Sequence, residues 1–194
     1  MIPKLVLIGG GGHCESCIDV IEKSKKFEII GIVDPNLRVG TDVSGYPVLG
    51  GDDELSNLKA ITKYALITVG QIKNYNIRVN LYNKLKKLDY CLPVIISPLA
   101  YIAKNVFIDE GTIVMHQALI NSNAKIGKNC IINTKSLIEH GVEVHDHCHI
   151  STATIINGDS RVCKCSFVGS NSVVVNGTIV PEMSFIKANQ LVKG

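Results

Sequence analysis

The chain has 194 residues, a formal net charge of +3, 46% hydrophobic and 5% aromatic residues, and no tryptophan. That length holds one domain or two small ones; the modest charge suits a small anionic ligand, gives nucleic-acid binding no support, and no apolar run reaches transmembrane length. Seven cysteines, an odd number without framework spacing, point to a reducing compartment, so a cytoplasmic location is expected.

Lys4 to Ile8 reads as a short buried strand, apolar for too few residues to be a signal peptide. It runs into Gly9, Gly10, Gly11, Gly12 and His13. A helix follows over roughly Cys14 to Lys25, with Cys17, Ile18 and Ile21 on one face. Cys14 and Cys17 have the spacing of a redox or zinc pair, but no second pair stands at zinc distance, which favours buried thiols. Phe27 to Val33 is a second strand, ended by the turn signal Asp34-Pro35-Asn36. Gly45 to Gly50 reads as a loop leading to an acidic helix start at Asp52, Asp53 and Glu54. Tyr64 to Val69 is a third strand, closed by Gly70 and Gln71. Asn76 to Leu88 carries Ile77, Leu81, Leu85 and Leu88 at helical spacing, and Val94 to Ile96 is a last strand.

Alternating strand and helix predicts an α/β, Rossmann-like parallel sheet over residues 1–93. A glycine-rich turn after the first strand sets backbone N–H groups and a helix N-terminus against a diphosphate. The dinucleotide fingerprint is only partly met, since Gly9-x-Gly11 is present but the third glycine position is Cys14. This favours a nucleotide-diphosphate cradle over a NAD site; a tight turn without ligand is the alternative.

From Ile96 to Ile186 every sixth residue is Ile or Val, sixteen positions without a gap. Two places before each, the residue is mostly small, as at Ala118, Cys130, Ser136, Cys148 and Ser160, with Val94, Val106 and Val142 the exceptions. A period of six fits neither a helix nor a hairpin sheet. It fits an all-β parallel β-helix over residues 94–194, each hexad a short strand and a turn, three hexads to a coil and about five coils in all. The aliphatic and the small residue both point inward. Cys130 and Cys148, one coil apart, then stack inside the prism as inert thiols.

These hexads resemble those of the hexapeptide-repeat acyltransferases, and that resemblance implies a left-handed coil and a homotrimer. Taken with Gly9 to His13, Asp34, the Gly-Tyr-Pro-Val-Leu-Gly segment, Val69-Gly70, Arg78, Asn133-Thr134 and Glu139-His140, the whole chain looks like the bacterial nucleotide-sugar acetyltransferases. The group includes N-acetyltransferases of UDP-linked 4-amino-4,6-dideoxy sugars and sialic-acid O-acetyltransferases. The resemblance implies an N-terminal domain, residues 1–93, that binds the nucleotide sugar through Gly9, Gly11, Gly12, His13, Asp34, Gly70 and Arg78. It implies a β-helix, residues 94–194, that binds acetyl-CoA between subunits, with His149 near the acetyl group and Asn133 a further cofactor-binding residue. The expected activity is acetyl-CoA-dependent N-acetylation of a UDP- or dTDP-linked amino sugar in surface-glycan or glycoprotein sugar biosynthesis. A sugar O-acetyltransferase or a nucleotide-sugar-binding trimer with little catalysis is the alternative.

Acetyl transfer to an amine needs a base and donors for the developing oxyanion. The resemblance assigns the base to His140. In the family an acid usually follows the base, whereas here Gly141 follows, so the orienting role passes to Glu139, Glu143 or a backbone carbonyl. Lys125, Lys128 and Lys135 are candidates to meet CoA phosphates, or are solvated corner lysines. Hexapeptide-repeat carbonic anhydrases use three histidines for zinc, but a further ligand expected two coils before His140 falls on Lys104, so no metal is expected.

Overall fold

The computed structural model describes residues 1–193, which divide into two units: Met1–Gly70 with Asn76–Pro93, and Gln71–Tyr75 with Val94 onward. The first unit opens with β1 (Lys4–Ile8), whose residues from Leu5 on are at most 1% exposed, the unbroken apolar run of a strand covered on both faces. α1 (Gly12–Ser24) buries Cys14, Cys17, Ile18, Val20 and Ile21 and ends at Lys25 (φ 54°), whose amide returns to the Ile21 and Glu22 carbonyls. β2 (Glu28–Val33), β3 (Asp42–Val43) and β4 (Tyr46–Gly50) follow, then a 3₁₀ turn at Asp52–Glu54, α2 (Leu55–Leu58), β5 (Ala65–Ile67) and α3 (Asn76–Lys87). The sheet order is β3-β4-β2-β1-β5, parallel throughout except for β3 against β4.

The stretch from Tyr46 to Gly50 is therefore a strand and not the loop its glycines and Pro47 suggest. Ser44 (φ 50°) and Gly45 (φ 89°) form a two-residue hairpin turn between β3 and β4. Val48 pairs with Ile32, and Gly31 admits this neighbour, since a Cβ there would lie 2.7 Å from the Pro47 carbonyl.

The second unit is a left-handed parallel β-helix with, among the described residues, seventeen two-residue strands, from Ile95–Ile96 to Leu191–Val192. They stack as three parallel sheets of six, five and six strands, each residue pairing with the one eighteen positions on, as Ile132 does with Ile150. The aliphatic column fills the prism, and Val114 through Val180 are at most 1% exposed. It extends one hexad beyond Ile186, to Val192, which pairs with Val174 and packs on the same core.

Two further columns hold the coil. The small inward residue carries a hydroxyl or thiol that donates to a carbonyl fifteen residues on: Thr112 to Gly127, Cys148 to Cys163, Ser160 to Val175, Ser166 to Pro181, Ser172 to Lys187. Burial pushes the Cys148 thiol well above its ordinary pKa, as suits an inert core residue. Three residues after each aliphatic, from Asn105 to Asn189, one corner residue has positive φ. Most of these are Asn, Gly or Asp, the types that reach that region at least cost.

The outward residue of each strand gives the prism three unlike faces. One reads Tyr101, Leu119, Leu137, Ile155, Val173, Leu191; a second Phe107, Lys125, Glu143, Arg161, Ile179; the third Ile95, Ile113, Ile131, His149, Phe167, Phe185. On the second, Glu143 accepts from Arg161 at 2.9 Å and Lys125 at 3.4 Å, a charged ladder across three coils. Ile132→Ala, which opens a void in the prism, is expected to destabilise the fold by about 2–5 kcal/mol in chemical denaturation.

Candidate active site

In the first unit a cavity of about 420 Å³ opens at the C-terminal ends of β1, β2 and β5, where open α/β sheets bind ligands. Its wall includes Gly9, Gly11, Gly12, His13, Asp34 and Gly70, which were singled out in the sequence, together with Asn36, Asp52, Ile77 and Leu81, which were not. The glycines differ in role. Gly9 has φ +104°, and a Cβ there would lie 2.3 Å from Val69 Cγ2; its carbonyl accepts from the Thr68 hydroxyl at 2.6 Å. A Cβ on Gly11 or Gly12 would meet nothing within 4 Å, so these two leave open space at the mouth of α1, whose N-terminus no side chain caps.

Asp34 lines the cavity, but both its oxygens serve backbone amides, accepting from Gly10 N–H and Asn36 N–H at 2.8 Å each. It braces the glycine turn. Arg78 is 0% exposed and does not line the cavity; its Nη1 donates to the Ile67 and Val69 carbonyls at 3.0 and 2.7 Å. It fixes the end of β5, from which Thr68, Val69 and Gly70 reach the wall. Asn36 and Asp52 enter because the amide of Asp34 is tied to the Gly50 carbonyl, a pairing across two turns that no local pattern shows.

In the second unit His140 stands on the corner between the Leu137–Ile138 and Glu143–Val144 strands, its side chain 60% exposed. Its Nδ1–H donates to Glu139 Oε2 at 3.2 Å, and the same oxygen accepts the His140 amide and, at 3.0 Å, Asn121 Nδ2. These bonds, the His140 amide first, hold the Glu139 carboxyl below its ordinary pKa. The ring is thereby set with Nε2 as the lone-pair nitrogen. Its Cε1–Nε2 edge lies over Gly158, where a Cβ would come within 2.7 Å of both atoms. Glu139 thus supplies the orienting contact, while Glu143 is engaged with Arg161 and Lys125. Gly141 has φ +66°, like the other residues of its corner column, and a Cβ there would meet the tip of the Asp159 side chain at 2.3 Å.

His149 lies elsewhere, on the third face, 6% exposed and edge-on to Phe167 at 5.2 Å. It donates from Nδ1 to the Gln71 carbonyl and accepts at Nε2 from Asn133 Nδ2 at 3.1 Å. His149 and Asn133 therefore form one cluster, and His140 with Glu139 another, on different corners of the prism. Of the three lysines, Lys125 is paired with Glu143. Among the described residues no group of three or more His, Cys, Asp or Glu side chains is placed to hold a metal ion.

Residues 4–85 match the PglD N-terminal domain. The acetyltransferase domain of PglB from Neisseria gonorrhoeae FA1090, solved with acetyl coenzyme A, superposes with a TM-score of 0.84 at 26% identity, over 92% of this chain and 85% of that one. PerB from Caulobacter crescentus, solved with CoA and GDP-perosamine, gives 0.76 at 25% identity, over 100% and 95%. WeeI from Acinetobacter baumannii AYE, at 21% identity and a TM-score of 0.74 over 97% and 96%, shares the fold. No curated protein sequence matches the chain.

Gly11→Val is expected to leave the melting temperature unchanged, because its backbone (φ −80°, ψ −178°) suits any residue, and to weaken binding of any nucleoside diphosphate that this cavity takes, as read in calorimetry. Gly9→Ala should instead cost about 1–3 kcal/mol of stability, through positive φ and the contact with Val69.

Proposed function

We propose that this chain, which resembles the bacterial sugar N-acetyltransferases of the hexapeptide-repeat type, moves acetyl from acetyl-CoA to the 4-amino group of a nucleotide-linked 4-amino-4,6-dideoxy sugar. The observation that carries this reading is the Glu139–His140 pair, an exposed imidazole whose Nδ1–H is held by a carboxylate and whose Nε2 is left to take a proton. The amine nitrogen attacks the thioester carbon, forming the N–C bond while its proton passes to His140 Nε2. Collapse of the tetrahedral intermediate breaks the C–S bond, and the proton is returned to the departing CoA sulfur. Glu139 holds the ring and balances the imidazolium charge while it lasts.

The cavity of the first unit would take the nucleotide diphosphate, with Gly11 and Gly12 giving the phosphates access to the α1 N-terminus. UDP and dTDP are the expected carriers, and the GDP sugar held by PerB adds a third. A cytoplasmic site of action agrees with the need for acetyl-CoA, and no described helix is long and apolar enough to cross a membrane.

The working form in this proposal is a homotrimer seated on the face of Tyr101, Leu119, Leu137, Ile155, Val173 and Leu191. Six apolar residues in a row, with Tyr101 and Leu191 62% and 59% exposed, make a surface of the kind that association covers. The corner bearing His140 borders this face on one side and the corner bearing Asn133 on the other. A neighbouring copy on this face would bring its own corners beside both.

Thiol release from acetyl-CoA is expected with UDP-, dTDP- or GDP-linked 4-amino sugars and not with free nonulosonic acids; the reverse preference would make the protein an O-acetyltransferase. His140→Ala should lower kcat by roughly 10²–10⁴-fold with little change in substrate affinity. Ile155→Asp should convert the trimer to monomer in light scattering while the far-ultraviolet spectrum is kept.

A further inference from the structure

Gln71 is 2% exposed, and its segment, Gln71–Tyr75, groups with the β-helix. Its side-chain Nε2 donates to the His147 carbonyl at 2.9 Å, and its own carbonyl accepts from His149 Nδ1. Residue 71 is thus clamped to the strand that carries His149 by one bond in each direction.

The consequence runs along a chain of hydrogen bonds. The Thr134 amide donates to Asn133 Oδ1 at 2.8 Å, which fixes which end of the Asn133 amide is oxygen. Nδ2 then faces His149 Nε2 and donates to it, at 3.1 Å, so that nitrogen carries a lone pair. The proton of the neutral ring is on Nδ1, where the Gln71 carbonyl receives it. Both nitrogens are employed, and His149 has no N–H to offer a ligand. Asn133 does: of its two amide hydrogens one goes to His149, and the other is available to an acceptor outside.

We propose that Gln71 is a positioning residue that holds His149 as the Nδ1–H tautomer, so that Asn133, and not His149, presents the N–H that receives the thioester carbonyl oxygen. In its kinetic part this rests on the acetyl-transfer reading above; the tautomer stands without it. A donor aimed at that oxygen strengthens as negative charge develops there, so its loss is read in kcat more than in binding.

The test uses full-length protein labelled with ¹⁵N at histidine. The wild-type spectrum is expected to show His149 with the widely split nitrogen shifts of a single Nδ1–H form. Gln71→Met keeps the volume and removes the donor to the His147 carbonyl. It is expected to shift His149 toward tautomer averaging and to lower kcat about tenfold, with the KM for acetyl-CoA within about twofold. Asn133→Ala should lower kcat roughly 10²-fold. An Nε2–H or averaged His149 in the wild type overturns the assignment, as does a Gln71→Met protein with wild-type ring shifts and kcat. A fixed Nδ1–H tautomer in a protein that transfers no acetyl group would overturn the proposed activity and leave the positioning of His149 in place.

Discussion

The stacking of coils at an eighteen-residue register is the constraint on which the β-helix depends. Each strand has only two residues, too few to hold a sheet by themselves, and its amides find carbonyls only one coil away, as Ile131 N–H does at Cys148 and Asn133 N–H at Ile150. The inward hydroxyls and thiols extend the same logic. They satisfy carbonyls at the ends of the flat strands, where the chain turns and the strand ladder stops. A polar group inside an aliphatic prism is tolerated here because each has an acceptor at hand.

Such a scaffold is rigid where chemistry needs rigidity. His140, Gly158 and Asn121 belong to successive coils of one corner, so the imidazole rests on backbone that cannot move without breaking ladder bonds on both sides. Glycine serves there as space for the ring, a different use from that at Gly141, where the backbone itself demands positive φ. The first unit divides its glycines in a comparable way, with Gly9 set by crowding and φ and Gly11 by the opening it leaves.

The hexad period made the β-helix legible from Ile96 onward because it repeats the same physical requirement at every strand. The alternation of strands and helices before it was legible for the same kind of reason. What escaped was non-local or ambiguous. The Tyr46–Gly50 strand carries Pro47 and is flanked by glycines, and only its pairing with β2 makes it a strand. Val192 was missed because the periodic run was closed one hexad early. The positive-φ column, in which Asn, Gly and Asp predominate, was present in the sequence at the same period and would have located most of the corners. At the candidate sites, Glu139 beside His140 was open to view, since neighbours on a tight corner must meet. Gln71 was not, because its partners lie 76 and 78 positions away and nothing periodic links them. The burial of Arg78 under the end of β5 was hidden for the same reason, as a charge in a helix ordinarily reads as solvent-facing.

The corner column also governs how such a chain can change in length. Losing one residue within a coil would move an Asn or Gly out of its positive-φ place and turn every later aliphatic from the inside of the prism to the outside. Losing six would keep the inward pattern but hand each downstream residue to the next face, so a charged row would fall where an apolar one had been. Only whole coils of eighteen preserve face, corner and column together. The length of this barrel is therefore quantised, and variation of any other size is confined to corners that can bulge outward without passing the change on.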